Sequence, residues 1–302
     1  MRILLFGGNG QLGTELRRNL ATAGDVTVTT RSGLLNDGHP CKSADLDAPE
    51  SLEELILAMR PDIVVNAAAY TAVDRAEDDA AAAYRVNADA PQAMARACER
   101  SGATFVHYST DYVFDGRANR PYRENDPVAP LGVYGASKLA GENAVRASGA
   151  RYLIFRTAWV YAAHGANFLR TMLRLAAERD ELRVVVDQFG SPTPASLIAE
   201  VTTRVLATHP VESGLWNLTT SGETSWHGFA SAIVDGAHAR GLLTSKPLIT
   251  PILSVDYPAS ATRPHRSTLD NSRLRHGFGL TLPPWDDALG KVLDQLASAG
   301  VR

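Results

Sequence analysis

The segment Ile3-Leu4-Leu5-Phe6-Gly7-Gly8-Asn9-Gly10-Gln11-Leu12-Gly13 decides the fold. Its first four residues are apolar without alternation, the pattern of a strand buried on both faces in a parallel sheet. After the glycines, Leu12, Leu16 and Leu20 recur near the helical period. The reading is strand, tight turn, helix. Gly7, Gly10 and Gly13 stand three apart, and each has a task in a dinucleotide-binding turn. One makes the turn, one lets backbone approach a pyrophosphate, and one packs helix on strand. The helix N-terminus adds free N–H groups and a positive dipole end.

Outward from this turn, strands and helices alternate. Val26 to Thr29 reads as a second strand. A dinucleotide-binding fold usually places Asp or Glu at its end, on the adenosine ribose. Here Thr30 and Arg31 follow. Arg31 suits a 2′-phosphate, which favours NADPH and leaves NADH possible; a solvated surface arginine is the rival reading. Asp45-Leu46 ends a short third strand, where adenine or its ribose would pass. Asp62 to Asn66 is a fourth strand, and the small residues Ala67-Ala68-Ala69 with Tyr70-Thr71 form a second cofactor wall. Ala80 to Arg100 reads as one amphipathic helix carrying Asn87. Thr104 to Tyr108 is a fifth strand that leads into Ser109-Thr110-Asp111. Ligands of open parallel sheets bind beyond the carboxyl ends of strands, so Thr110 and Asp111 stand where a substrate is expected.

The next helix contains Tyr134-Gly135-Ala136-Ser137-Lys138. Residues four apart share a helix face, so Tyr134 and Lys138 project together. A phenol titrates near pH 10, and an ammonium one turn away lowers that value. The pair makes a proton donor for a carbonyl on its way to an alcohol. Tyr152 to Thr157 is a sixth strand with Trp159 just beyond it, a residue of core or cleft. Beyond about residue 160 the pattern loosens into Phe168 to Arg179 (helix), Arg183 to Val186 (strand), Leu215 to Leu218, the Trp226 to Ala239 helix and a proline-studded tail from Pro247 to Pro284. The fold class is therefore α/β, a doubly wound parallel sheet (Rossmann-like) with a smaller mixed α/β substrate-binding region. Residues 1–160 are expected to form the dinucleotide-binding domain, with the chain returning to it near 183–210, and 161–302 mainly the substrate-binding domain.

Composition excludes several classes. A net charge of −3 over 302 residues gives no general pull toward nucleic acid or anionic membrane. The apolar run after Met1 stops after four residues, too short for a signal core, and no run approaches membrane-spanning length. Cys41 and Cys98 imply no disulfide framework and no zinc site. The expected location is the cytoplasm, and Asn217-Leu218-Thr219 is read as a chance match to a glycosylation acceptor.

The glycine spacing, Asn66-Ala67-Ala68-Ala69, Ser109-Thr110-Asp111 and Tyr134-x-x-x-Lys138 together resemble the extended short-chain dehydrogenase/reductases. The longer strings Ser109 to Phe114, Phe155 to Tyr161, Asp187-Gln188-Phe189-Gly190-Ser191-Pro192-Thr193 and Ala261-Thr262-Arg263-Pro264 are similar to the dTDP-4-dehydrorhamnose reductases, nearly end to end. That resemblance implies hydride transfer from a reduced nicotinamide to C4 of dTDP-4-dehydro-L-rhamnose, giving dTDP-L-rhamnose for cell-surface polysaccharide. It implies Tyr134 as proton donor, Lys138 on the nicotinamide ribose, and the Thr110 hydroxyl on the reacting oxygen. Asp111 and Trp159 would contact the sugar nucleotide, and Arg263 its diphosphate. Gln11 and Leu12 join Gly10 in the phosphate turn, while Asp45, Leu46, Ala69, Tyr70 and Thr71 match cofactor contacts.

Some members resemble dimers bridged by a metal on carboxylates. Glu15 is present here, but Ser196 and Gln295 stand where further acids are expected, poor ligands for a hard cation. The expectation is no metal, and a monomer or weak homodimer. Two rivals keep the same residues: an epimerase or dehydratase that retains NAD tightly, and a non-catalytic nucleotide-binding regulatory subunit.

Overall fold

The computed structural model describes residues 1–208 and 212–300. Strand β1 (Arg2–Phe6) runs into helix α1 (Gln11–Leu20), followed by β2 (Asp25–Thr30), β3 (Lys42–Ser43), α2 (Pro49–Met59) and β4 (Ile63–Asn66). Then come α3 (Val73–Asp78), α4 (Ala80–Tyr84), a π-turn (Arg85–Asp89), α5 (Ala90–Ser101), β5 (Thr104–Thr110), α6 (Val133–Ala147) and β6 (Arg151–Thr157). All neighbouring strands of the large sheet are parallel, in the order β3-β2-β1-β4-β5-β6, and the strand Gly214–Asn217 completes the far edge. The order reverses between β1 and β4, which opens a crevice at the carboxyl ends. This is the doubly wound sheet that the opening segment implied.

Each face of the sheet has its own core. Leu5, Leu16, Leu20, Val65, Val106 and Phe155 pack on one side with Ile198 and Val205. Leu4, Phe6, Leu52, Ile56, Val64, Met94 and Phe105 pack on the other. A separate core joins α7 (Phe168–Glu178), α9 (Trp226–Ala239) and the helix Trp285–Ser298 through Leu169, Met172, Phe229, Ile233 and Leu293. The span 183–210, read in the sequence as returning toward the large sheet, divides in two. Residues Glu181–Val185 pair with Leu248–Ile252 in a sheet of their own. What rejoins the first region is α8 (Ala195–Ala207), packed on α1, and then Gly214–Asn217 beside β6.

Two other readings are corrected. The third strand ends at Ser43, because Asp45 takes the Asp47 N–H on its side chain (3.1 Å) and turns the chain toward α2. The alanine-rich helix is three pieces rather than one. Pro91 has no N–H for the carbonyl four residues back, that of Asn87, and the ladder loosens into the π-turn there. The Asn217 of the glycosylation-like triplet is fully buried, its amide donating to Tyr122 O (2.9 Å) and Asp270 O (3.1 Å).

Helix α6 approaches the π-turn closely at Gly141, where an added Cβ would lie 2.1 Å from Asn87 O. Alanine there gains about 1 kcal/mol of helix propensity and overpacks at about 1–3 kcal/mol. The neighbour is backbone and cannot swing aside, so overpacking wins. Gly141→Ala is expected to lower the urea midpoint of unfolding, and an unchanged or raised midpoint would refute this packing.

Candidate active site

The carboxyl end of β5 and the first turns of α6 carry the ionisable centre. Val133 at the start of α6 donates its N–H to Glu77 Oε1 (2.9 Å), which anchors the helix N-terminus to α3. Close approach is allowed by Gly135, whose added Cβ would meet Tyr112 O at 2.3 Å. Tyr134 packs edge-on to Tyr112, with ring centroids 5.6 Å apart. Lys138 is buried and reaches across to β5, where its Nζ donates to Tyr108 O at 2.6 Å. Thr110 gives its hydroxyl proton to Asp111 Oδ1 (3.0 Å) and accepts the Tyr112 N–H (3.2 Å).

Burial dominates the titration of this group. The Tyr134 phenol is pushed up to about 12, with the Thr110 hydroxyl opposing the rise and the Asp111 charge adding to it. The lowering expected from Lys138 is not found: the ammonium is not among the groups that shift the phenol, and it spends its short contact on the Tyr108 carbonyl. Lys138 is brought down to about 8 by burial, against the pull of Glu142. Asp111 is raised to about 6 by burial, with Ser267 and Thr110 opposing. His107, on β5, is held well below its ordinary value by burial and by Lys138.

Two cavities are relevant here, and Thr110, Asp111, Tyr134 and Lys138 line neither of them. One, of about 760 Å³, is lined by Gly7, Gly10, Arg31, Asp45, Leu46, Ala69, Tyr70 and Thr71. Gln11, Leu12, Gly13, Tyr134 and Lys138 are absent from that lining. Leu12 packs on the core, and Gly13 works in packing, since a Cβ there would lie 2.0 Å from Gly7 O. Arg75, also in the lining, was missed by the sequence reading; it sits in α3, four residues past Thr71, with no motif of its own. The other cavity, of about 880 Å³, is lined by Arg117, Arg179, Arg183, Arg263, Phe168, Trp226 and Tyr257, among others. Trp159 is not in that lining. It has φ +46° and stacks on Trp226, rings 3.5 Å apart, above Gly190.

Asn87 ties the centre to the first cavity. Its Oδ1 takes the Tyr70 N–H (2.9 Å) and its Nδ2 serves Tyr70 O (3.1 Å) and Ser137 Oγ (3.0 Å). Leu131, three residues before Tyr134, lines the second cavity. Arg263 is held by Asp74 of α3 at 2.6 Å. Glu15 is engaged by His164 Nε2 at 2.7 Å and by Arg18 at 3.6 Å. Ser196 is half-buried on α8 and Gln295 is exposed.

A family model described as the RmlD substrate binding domain matches residues 1–298. A dTDP-4-dehydrorhamnose reductase of Burkholderia thailandensis is 50% identical, over 99% of this chain and 100% of its own. The chain belongs to the dTDP-4-dehydrorhamnose reductase family. The Escherichia coli K12 dTDP-4-dehydrorhamnose reductase is 43% identical over 98% of each chain. The crystal structure of the Bacillus anthracis dTDP-4-dehydrorhamnose reductase, in complex with NADP, superposes with a TM-score of 0.88 at 33% identity, covering 97% of this chain and 99% of that one.

In this reductase fold Asp111 gives a pH-dependent term. Its folded value of about 6 exceeds its ordinary 3.8, so the folded state holds the proton more tightly than the unfolded chain. That contribution is complete below about pH 4 and is lost as pH rises through about 6. Asp111→Asn, which stays neutral, is expected to be more stable than the parent at pH 7 by roughly 3 kcal/mol, with the advantage gone by about pH 4. Urea unfolding at both pH values checks this, and an equal effect at both would refute it.

Proposed function

We propose that this chain reduces the C4 ketone of dTDP-4-dehydro-L-rhamnose to dTDP-L-rhamnose with NADPH, Tyr134 supplying the proton. The observation that carries this is Tyr134 and Lys138 on one turn of α6, beside Thr110 and Asp111, tied to one cavity and adjoining another. The residues present fit a phosphorylated dinucleotide. Gly7 has φ +84°, and a Cβ there would strike Ala68 N at 2.8 Å, so backbone alone faces the cavity. Arg31 and Arg75 add positive charge to the same lining, which suits a 2′-phosphate. NADPH, when bound, supplies the hydride that reduces the carbonyl carbon.

The protein's own groups do the rest. A phenol held at about 12 keeps its proton at neutral pH. An alkoxide is a far stronger base than a phenolate, so transfer from Tyr134 to the developing oxyanion runs downhill. We read Thr110, buried at the strand end, as turning its hydroxyl from Asp111 Oδ1 to the same oxygen. Lys138, at about 8, stays mostly charged at pH 7 and stabilises the phenolate left behind.

The second cavity suits a nucleoside diphosphate sugar, with Phe168, Trp226 and Tyr257 for flat apolar surface. Of its four arginines, only Arg263 is in an ion pair among the described residues. We read residues 1–160 with α8 and Gly214–Asn217 as the dinucleotide-binding part, and the remainder as mainly substrate-binding. The chain is read as a cytoplasmic monomer or weak homodimer without a bridging metal. No helix among the described residues is long and apolar enough to cross a membrane.

Steady-state assays with dTDP-4-dehydro-L-rhamnose are expected to consume NADPH stoichiometrically; purified protein that retains NAD and consumes none would favour an epimerase. Tyr134→Phe is expected to lose about 10²–10⁴-fold in rate with NADPH binding nearly unchanged, and full activity in that variant would sink the proton-donor role. Arg31→Ala is expected to raise KM for NADPH by about tenfold or more while leaving KM for NADH near the parent value. An equal change for both would place the 2′-phosphate elsewhere.

A further inference from the structure

Helix α6 carries a third ionisable side chain that the proposed chemistry does not use. Glu142 stands one turn beyond Lys138, fully buried, and receives Arg156 in a bidentate fork, Nε to Oε1 at 2.8 Å and Nη2 to Oε2 at 2.7 Å. Arg156 comes from β6, donates Nη1 to Glu124 O at 3.2 Å, and lies 5.0 Å above the Phe114 ring. A buried pair of this kind is weak support for stability, because desolvating two ions offsets most of their attraction. Its place beside Lys138 gives it another use.

The Lys138 ammonium has three donors, and within the protein one of them meets Tyr108 O. The titratable groups on the elements around it are few. His107 on β5 is kept neutral. Tyr134 shares α6, while Asp111 and Tyr112 cap the end of β5. Glu77 of α3 is engaged at the helix start by Val133. Arg85 and Asp89 of the π-turn are exposed to solvent. Glu142 is the carboxylate whose charge acts on Lys138.

A buried lysine next to a buried glutamate can neutralise both charges by passing one proton across. An arginine prevents this, since it stays protonated and its fork matches a carboxylate. We propose that Glu142, locked by Arg156 one helical turn from the buried Lys138, is a positioning residue for the reaction: it keeps Lys138 charged. This rests on the reductase reading above, because it takes Lys138 to be required as the ammonium.

The test is the pH dependence of kcat/KM for the full chain with saturating NADPH. Glu142→Gln is expected to move the basic limb down by about one pH unit, a roughly tenfold deficit on the alkaline side. Near pH 6.5 the deficit is smaller. Glu142→Asp retains the charge and is expected to keep the limb near that of the parent. A limb unmoved in Glu142→Gln, with rate full or uniformly reduced, overturns the proposal and leaves a merely structural pair. If that variant does not fold, ¹³C NMR of the parent protein decides. The Lys138 Cε signal is expected to titrate near pH 8, together with the basic limb of the rate profile, and a titration below pH 7 overturns the proposal. A parent protein without reductase activity would instead remove the functional reading, while the NMR result still reports on the pair.

Discussion

Taking an ammonium out of water is the constraint around which this molecule is arranged. Lys138 is buried with one short hydrogen bond to a strand carbonyl, and an unpaired buried charge is expensive. The fold meets the requirement by bringing α6 unusually close to its surroundings. Gly135 lets the helix meet Tyr112 O, and Gly141 lets it meet Asn87 O. At that distance the Lys138 stem spans to β5, and the buried Glu142–Arg156 pair lies within one helical turn. A helix with larger side chains on this face would stand off, and water would take the place of these contacts.

The same closeness joins chemistry to ligand binding. Asn87 belongs to a turn that a regular helix would not contain, and its amide grips both backbone groups of Tyr70 and the hydroxyl of Ser137. A wall of the cavity beside the glycine turn and the middle of α6 therefore share one side chain. Pro91, by denying Asn87 O its usual partner, leaves that carbonyl free to face Gly141.

How much of this was legible in the sequence follows from the range of the interactions. The β1–α1 unit reads directly, because a continuous apolar run, three spaced glycines and a helical leucine repeat are all local signals. The Tyr134–Lys138 pairing is local too, being set by helical spacing alone. What did not read were contacts between distant segments. The partner of Lys138 is a carbonyl thirty residues earlier, and Arg263 finds Asp74 from 189 residues away. The sequence reading also expected an ammonium to lower the Tyr134 phenol, but the larger effect is desolvation, which depends on every surrounding element. Arg156 was a signal left unused. An arginine inside the apolar run Tyr152 to Thr157 must find an anion once that strand is buried, and Glu142 stands at helical spacing from Lys138.

The clasp between Asp74 and Arg263 fastens α3 to a loop in the last seventh of the chain. A growing polypeptide emerges from its N-terminus, so β1 through β6 are available to pair long before residue 263 exists. Assembly order is thereby written into the polypeptide: the cavity beside the glycine turn can take shape first, and the cavity lined by Arg263 gains its final wall only as translation ends. A chain stopped just short of Arg263 would retain all seven parallel strands and lack that clasp.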